Sequence, residues 1–124
     1  MKKWKISKTQ LDKIGLLLND YAESLSECTS NILNGYFLSE IYNNKFYYIF
    51  RIKNIDKTIS DIELFKITVI DTDGSLLLTV NYYNDVHNIN TDIDNLESKL
   101  DSIIQSEKMG NYIYYLIEWT KKIK

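Results

Sequence analysis

A seam of apolar or small side chains near the N-terminus constrains this chain more than any other feature. Leu11, Ile14, Leu18, Tyr21, Leu25, Cys28 and Ile32 recur at alternating steps of three and four. That heptad spacing places all of them on one face of an α-helix. Ser7, three residues before Gln10, reads as a capping box at the helix start. Asn34-Gly35 reads as its stop, because Gly readily takes the left-handed backbone just past a helix end. The spacing therefore predicts a helix over residues 8–33, with Gly15 as its weak point. Leu16, Leu17 and Leu33 widen the stripe beyond a two-stranded zipper, so the helix is expected to lie on a sheet. The seam also leaves homodimerisation open.

The sheet is expected to follow at once. Residues 36–42 and 45–53 are rich in aromatic and β-branched side chains. Asn43-Asn44 between them suits a tight hairpin, since Asn tolerates positive φ. Residues 54–57 form a turn candidate. Residues 62–70 read as a third strand, Asp73-Gly74 as a second hairpin turn, and residues 76–83 as a fourth strand. Short connections make the four strands an antiparallel meander. Residues 84–90 read as a polar loop carrying His87. Thr91 is expected to cap a second helix, with Asp92 and Asp94 in its first turn. Its apolar face would comprise Ile93, Leu96, Leu100, Ile103 and Ile104. Residues 109–111 interrupt that pattern. Residues 112–123 fit either a fifth strand or a helix. Tyr112, Leu116, Trp119 and Ile123 at helical spacing, with Lys121, Lys122 and Lys124 near the end, favour the helix. The expected fold class is α+β, in one domain over residues 1–124: a long N-terminal helix, a four-stranded antiparallel meander, and one or two C-terminal helices.

With 124 residues, the chain is long enough to bury a core without disulfides or metal. A formal net charge of −2 argues against a protein that coats nucleic acid or anionic lipid. No apolar stretch reaches the length of a signal peptide or a membrane span, so a cytoplasmic location with no membrane association is expected. Ile, Lys, Asn and Tyr supply 54 residues and Pro none. Those four have A/T-rich codons, which points to a low-GC bacterium, its phage or a mobile element. Lys and Asn abundance is accordingly not read as function.

Few groups can carry chemistry. One Cys excludes an intramolecular disulfide or an all-Cys metal site. Cys28 sits on the apolar seam, where a thiol behaves as a small hydrophobe, and His87 sits in a polar loop. Asp92, Asp94 and His87 cluster in sequence, but first-turn acids are explained by helix capping. No metal and no cofactor are expected, and no Gly-rich phosphate cradle is present. The stretch Thr68-Val69-Ile70-Asp71-Thr72-Asp73-Gly74-Ser75 resembles the first motif of haloacid-dehalogenase-type phosphotransferases over about eight residues. That resemblance implies Asp71 as nucleophile and Asp73 as acid–base. It departs from the family in two ways. Some 70 residues precede the motif, and no later acidic pair completes a Mg²⁺ site. A hairpin turn explains the same residues. The stretch also fails as an EF-hand loop, because Tyr82 stands where the last acidic ligand belongs.

Binding is the remaining class, and no enzyme is expected. The doublets Tyr47-Tyr48 and Tyr82-Tyr83 each put one ring on either side of a strand, and Tyr114-Tyr115 is a third pair. Phe46, Tyr48 and Phe50 are expected to face the core, leaving Tyr47 and Arg51, the only arginine, on the other face. Leu76, Leu78, Val80 and Tyr82 are expected inward, leaving Tyr83 outward. Tyr47, Arg51 and Tyr83 are thus the candidate binding residues, with a protein as partner and nucleic acid disfavoured by the charge. The composition suits an inhibitor or neutralising protein, such as a phage antagonist of bacterial defence or a toxin-immunity protein. One alternative is a small dimeric chaperone, whose helix–meander–helix order resembles type III secretion chaperones in outline. Another is a binder of a small anionic ligand, such as a nucleotide, centred on Arg51.

Overall fold

A computed structural model describes residues 8–54, 61–70, 74–82 and 85–123. The element order is α1 (Lys8–Cys28), β1 (Leu33–Tyr42), β2 (Lys45–Asn54), β3 (Ile62–Val69), β4 (Ser75–Tyr82), β5 (Asp85–Asp92), α2 (Leu96–Ile104) and α3 (Glu107–Ile123). The architecture is α+β. The strands form one antiparallel sheet in the order β1-β2-β3-β4-β5, so each strand pairs with its neighbour in sequence.

All three helices lie on one side of this sheet. That side is the core face, where Tyr48, Phe50, Ile52, Phe65, Ile67, Leu76, Leu78 and Val80 are buried. They pack against Ile14 and Leu18 of α1, Leu96 and Leu100 of α2, and Met109, Tyr112 and Leu116 of α3. Burying these side chains supplies most of the folding free energy, at roughly 1.5–3 kcal/mol for each large apolar group. Leu64 and Phe65 are consecutive yet both buried. The register shifts at this point, pairing Phe50 with Phe65 but Arg51 with Glu63. Leu64 is the extra residue of a β-bulge, which turns it toward the helices beside Phe65.

The expected α1 runs five residues too long. It ends at Cys28 through a Schellman arrangement, with Asn31 N–H donating to Ser26 O at 2.8 Å and Ser30 N–H to Glu27 O at 3.3 Å. Ser30 and Asn31 take positive φ values of 52° and 64°, so two non-glycine residues make the stop. Buried Thr29 completes it, donating its hydroxyl to Leu25 O at 2.9 Å. Asn34 and Gly35 belong to β1. Gly35 is needed for a different reason, a close approach to α1. A Cβ there would lie 2.6 Å from Phe50 Cζ and 3.2 Å from Ala22 Cα.

The Asn43-Asn44 hairpin forms as expected, with φ of 50° and 64°. The Asp73-Gly74 turn is described only at Gly74, whose φ is 96°. The turn candidate at 54–57 lies outside the described residues beyond Asn54, which ends β2.

The largest correction concerns residues 85–92. They form no polar loop and no helix start. Asp85–Asp92 is a fifth strand, which makes the meander five-stranded. Its polar sequence reflects an edge position, where only one side of the strand pairs and most side chains meet water. Thr91 therefore caps nothing. The Asp92 carboxylate instead accepts from the Asn95 backbone and side-chain N–H groups, both at 2.8 Å, and shapes the turn into α2. Residues 109–111 do not break the chain either. Ser106 acts as N-cap, its hydroxyl accepting from Met109 N–H at 3.2 Å, so α3 starts early and runs through them. Residues 112–123 are helical, as the spacing favoured.

Candidate functional site

The side of the sheet away from the helices is open, and no described helix lies over it. Alternation along each strand decides what it carries. The register places Tyr47 between Glu40 and Thr68, Ile49 between Leu38 and Lys66, and Arg51 between Tyr36 and Glu63. Leu77 and Thr79 of β4 extend this surface, paired with Thr68 and Lys66. Tyr47, Ile49 and Leu77 are half-buried, which is high exposure for such groups on inner strands, and Tyr36 is half-buried on the edge strand β1. The outcome is a mixed surface in which Arg51, Lys66 and Glu63 stand among the aromatic and aliphatic side chains of the inner strands.

The charges are arranged to hold these rings. Lys53 Nζ lies 5.4 Å from the centre of the Tyr36 ring, and Lys66 Nζ lies 5.4 Å from that of Tyr47. Both are within cation–π range. The Tyr36 hydroxyl donates to the Asp61 carboxylate, and this hydrogen bond pushes the phenol above its ordinary pKa. Arg51 Nη2 donates to the Asp61 backbone oxygen at 3.3 Å. Its Nε is buried and finds no acceptor among the described residues. Glu63, opposite Arg51, accepts from Asn81 Nδ2. The guanidinium is thus held by a backbone oxygen, and its buried Nε is an uncommitted donor among the described residues.

Tyr47 and Arg51 therefore share one face, four residues apart on β2 with Ile49 between them, while Tyr48 faces the core. Tyr83 lies outside the described residues. Leu76, Leu78 and Val80 point inward as their alternation predicts. Phe46, expected in the core beside Tyr48 and Phe50, is 38% exposed. It lies toward the β1–β2 tip, beyond the reach of the helices. That tip is the surface the sequence reading missed. Ile41 is 70% and Tyr42 66% exposed, and both adjoin Phe46 and Lys45 through the hairpin register. The available signal was the crowding of apolar residues on both flanks of Asn43-Asn44. The Tyr114-Tyr115 pair behaves differently from the strand doublets. Both rings are exposed on α3, and Tyr115 lies 6.0 Å from Trp119.

The candidates for chemistry find other roles. Cys28 is exposed at the end of α1 and not buried in the seam. His87 lies on β5, 3.5 Å from Lys108, which pairs with Asp85 at 2.9 Å. The Lys108 ammonium holds the Asp85 carboxyl below its ordinary range. Asp71 and Asp73 lie outside the described residues. Among the described residues no three His, Cys, Asp or Glu side chains are placed to share a metal ion. No described helix is long and apolar enough to cross a membrane. In comparisons with known proteins, no family model matches the chain, and neither a curated protein nor a solved structure is detectably similar to it.

Proposed function

We propose that the chain is a non-enzymatic binding protein that engages another protein through the open face of its sheet. The observation that supports this reading is the open face itself, where Tyr47, Ile49 and Leu77 lie on the inner strands β2 and β4, Lys66 and Glu63 stand among them on the central strand β3, and Tyr36 and Glu40 lie on the edge strand β1. Tyr and Arg are enriched among the residues that dominate binding energy at protein interfaces, and this face carries both. At the β1–β2 tip exposed Tyr42 extends this face, while Ile41 and Phe46 lie on the opposite side of the hairpin. An inhibitor or neutralising protein is the function this suits, because such proteins act by occupying a surface and need no catalytic group. The anionic-ligand alternative loses ground, since Asp61 and Glu63 already flank Arg51 with negative charge.

The test uses a photo-crosslinking side chain at position 47, with a control at Glu97 on the helix side. The position 47 probe is expected to capture one protein from the host, and capture is expected to fail when Arg51→Ala is added. A captured protein that crosslinks equally from position 97, or no captured protein at all, would sink the reading.

A further inference from the structure

We propose that a cavity between α1 and α3, on the helix-covered side of the sheet, binds a small, uncharged, largely apolar molecule, and that Gly110 keeps its mouth open. The cavity has a volume of about 260 Å³. It exceeds the roughly 150 Å³ of an engineered apolar cavity that admits benzene. Phe50, Leu64, Phe65 and Met109 form its buried interior, and the two Phe rings stack 4.8 Å apart. No Asp, Glu, Lys, Arg or His lines it among the described residues. Its two less exposed polar side chains are already committed: the Thr29 hydroxyl bonds Leu25 O and Leu33 O, and the Tyr21 hydroxyl donates to Asp101; Ser24 and Cys28 stand exposed at the mouth. A charged occupant would find nothing to neutralise it, whereas an apolar one would replace water on apolar walls.

Gly110 is the second observation. Glycine is the least favoured helix residue after proline, so its place inside α3 calls for a reason. A close approach is not that reason, because a Cβ built at Gly110 meets nothing within 4 Å. Positive φ is not the reason either, since Gly74 is the described glycine that has it. Gly110 is exposed on the cavity wall, as are Ser24 and Cys28. A longer side chain there would stand across the entrance.

The probe for the test is N-phenyl-1-naphthylamine, a neutral fluorescent apolar molecule. Wild type is expected to bind it saturably, one per chain, and binding is expected to slow alkylation of Cys28 by N-ethylmaleimide. Gly110→Phe is expected to weaken binding about tenfold or more without lowering the melting temperature, while Gly110→Ala still binds. Ile117→Phe, which fills the cavity from within, is expected to give the same loss by a separate route. Absence of saturable binding would overturn the proposal. So would unchanged affinity in both Phe variants. The open face lies on the opposite side of the sheet, so Tyr47→Ala leaves probe binding intact and the two proposals fail separately.

Discussion

Gly35→Ala offers a sharp test of how α1 is seated, because two physical effects predict opposite signs. Alanine in a strand interior is ordinarily better than glycine by about 0.5–1 kcal/mol, since glycine loses more backbone freedom on folding. Against this, the new methyl would lie 2.6 Å from Phe50 Cζ, 3.1 Å from Phe50 Cε1 and 3.2 Å from Ala22 Cα. The Phe50 ring has little room to move aside, being 2% exposed and stacked on Phe65. The Ala22 atom is backbone, so relief there requires α1 to lift off β1. Overpacking of this kind costs about 1–3 kcal/mol, and a backbone obstacle belongs at the upper end. The net expectation is a loss of about 2 kcal/mol. For a chain of 124 residues, at about 2.1 cal/mol/K of unfolding entropy per residue, that is a fall of roughly 8 °C in melting temperature. Thermal and urea unfolding measure it directly. In a Phe50→Leu background the penalty should shrink, since the nearest obstacle is gone. A Gly35→Ala variant that melts higher than wild type would refute the close approach and the helix placement built on it.

Three further outcomes are expected. Leu18 is fully buried on the core side of α1, so Leu18→Ala should cost about 2–5 kcal/mol by urea unfolding, and half-buried Leu25 should cost less on the same change; a Leu18→Ala variant as stable as wild type would show that the seam is not core. Burial, and then the hydrogen bond to Asp101, push the Tyr21 hydroxyl well above its ordinary pKa of 10.0, so its contribution is intact below about pH 10 and is lost as the pH rises beyond. Urea midpoints between pH 8 and 11 should therefore decline more steeply for wild type than for Tyr21→Phe, and parallel declines would contradict this. Tyr47→Ala and Arg51→Ala, both half-buried on the open face, should cost no more than about 1 kcal/mol, or roughly 4 °C in melting temperature; a loss as large as that of Leu18→Ala would make either a structural residue and not a binding one.

The fold class, the seam from Leu11 to Leu25, the Asn43-Asn44 hairpin and the inward positions of Leu76, Leu78 and Val80 were legible because each rests on local periodicity or turn chemistry. The open side of β2 was legible for the same reason: once Tyr48 and Phe50 point inward, Tyr47 and Arg51 must point out. What stayed hidden depends on tertiary context. Asp85–Asp92 lacks the apolar alternation of a strand because it sits at an edge and buries no side chain fully. The stop of α1 uses Ser30 and Asn31 at positive φ, which no propensity favours as strongly as the Gly35 four residues later. The exposure of Ile41, Tyr42 and Phe46 follows from the helices ending short of the hairpin tip, a matter of element length that no local pattern records. The cavity beside Gly110 arises from how α1 and α3 are spaced, which again has no signature in the sequence.

Placing every described helix on one side of the sheet has a consequence for how such a protein can evolve. Along β2, positions 48, 50 and 52 answer to the core, while 47, 49 and 51 answer to whatever the open face meets. The two sets interleave in the gene but are separated in space by the thickness of the sheet. Substitutions at 47, 49 and 51 can therefore retune the outer surface with little change in stability. A chain in an arms race with a changing partner would gain from this division: one set of codons free to drift, its neighbours held fixed.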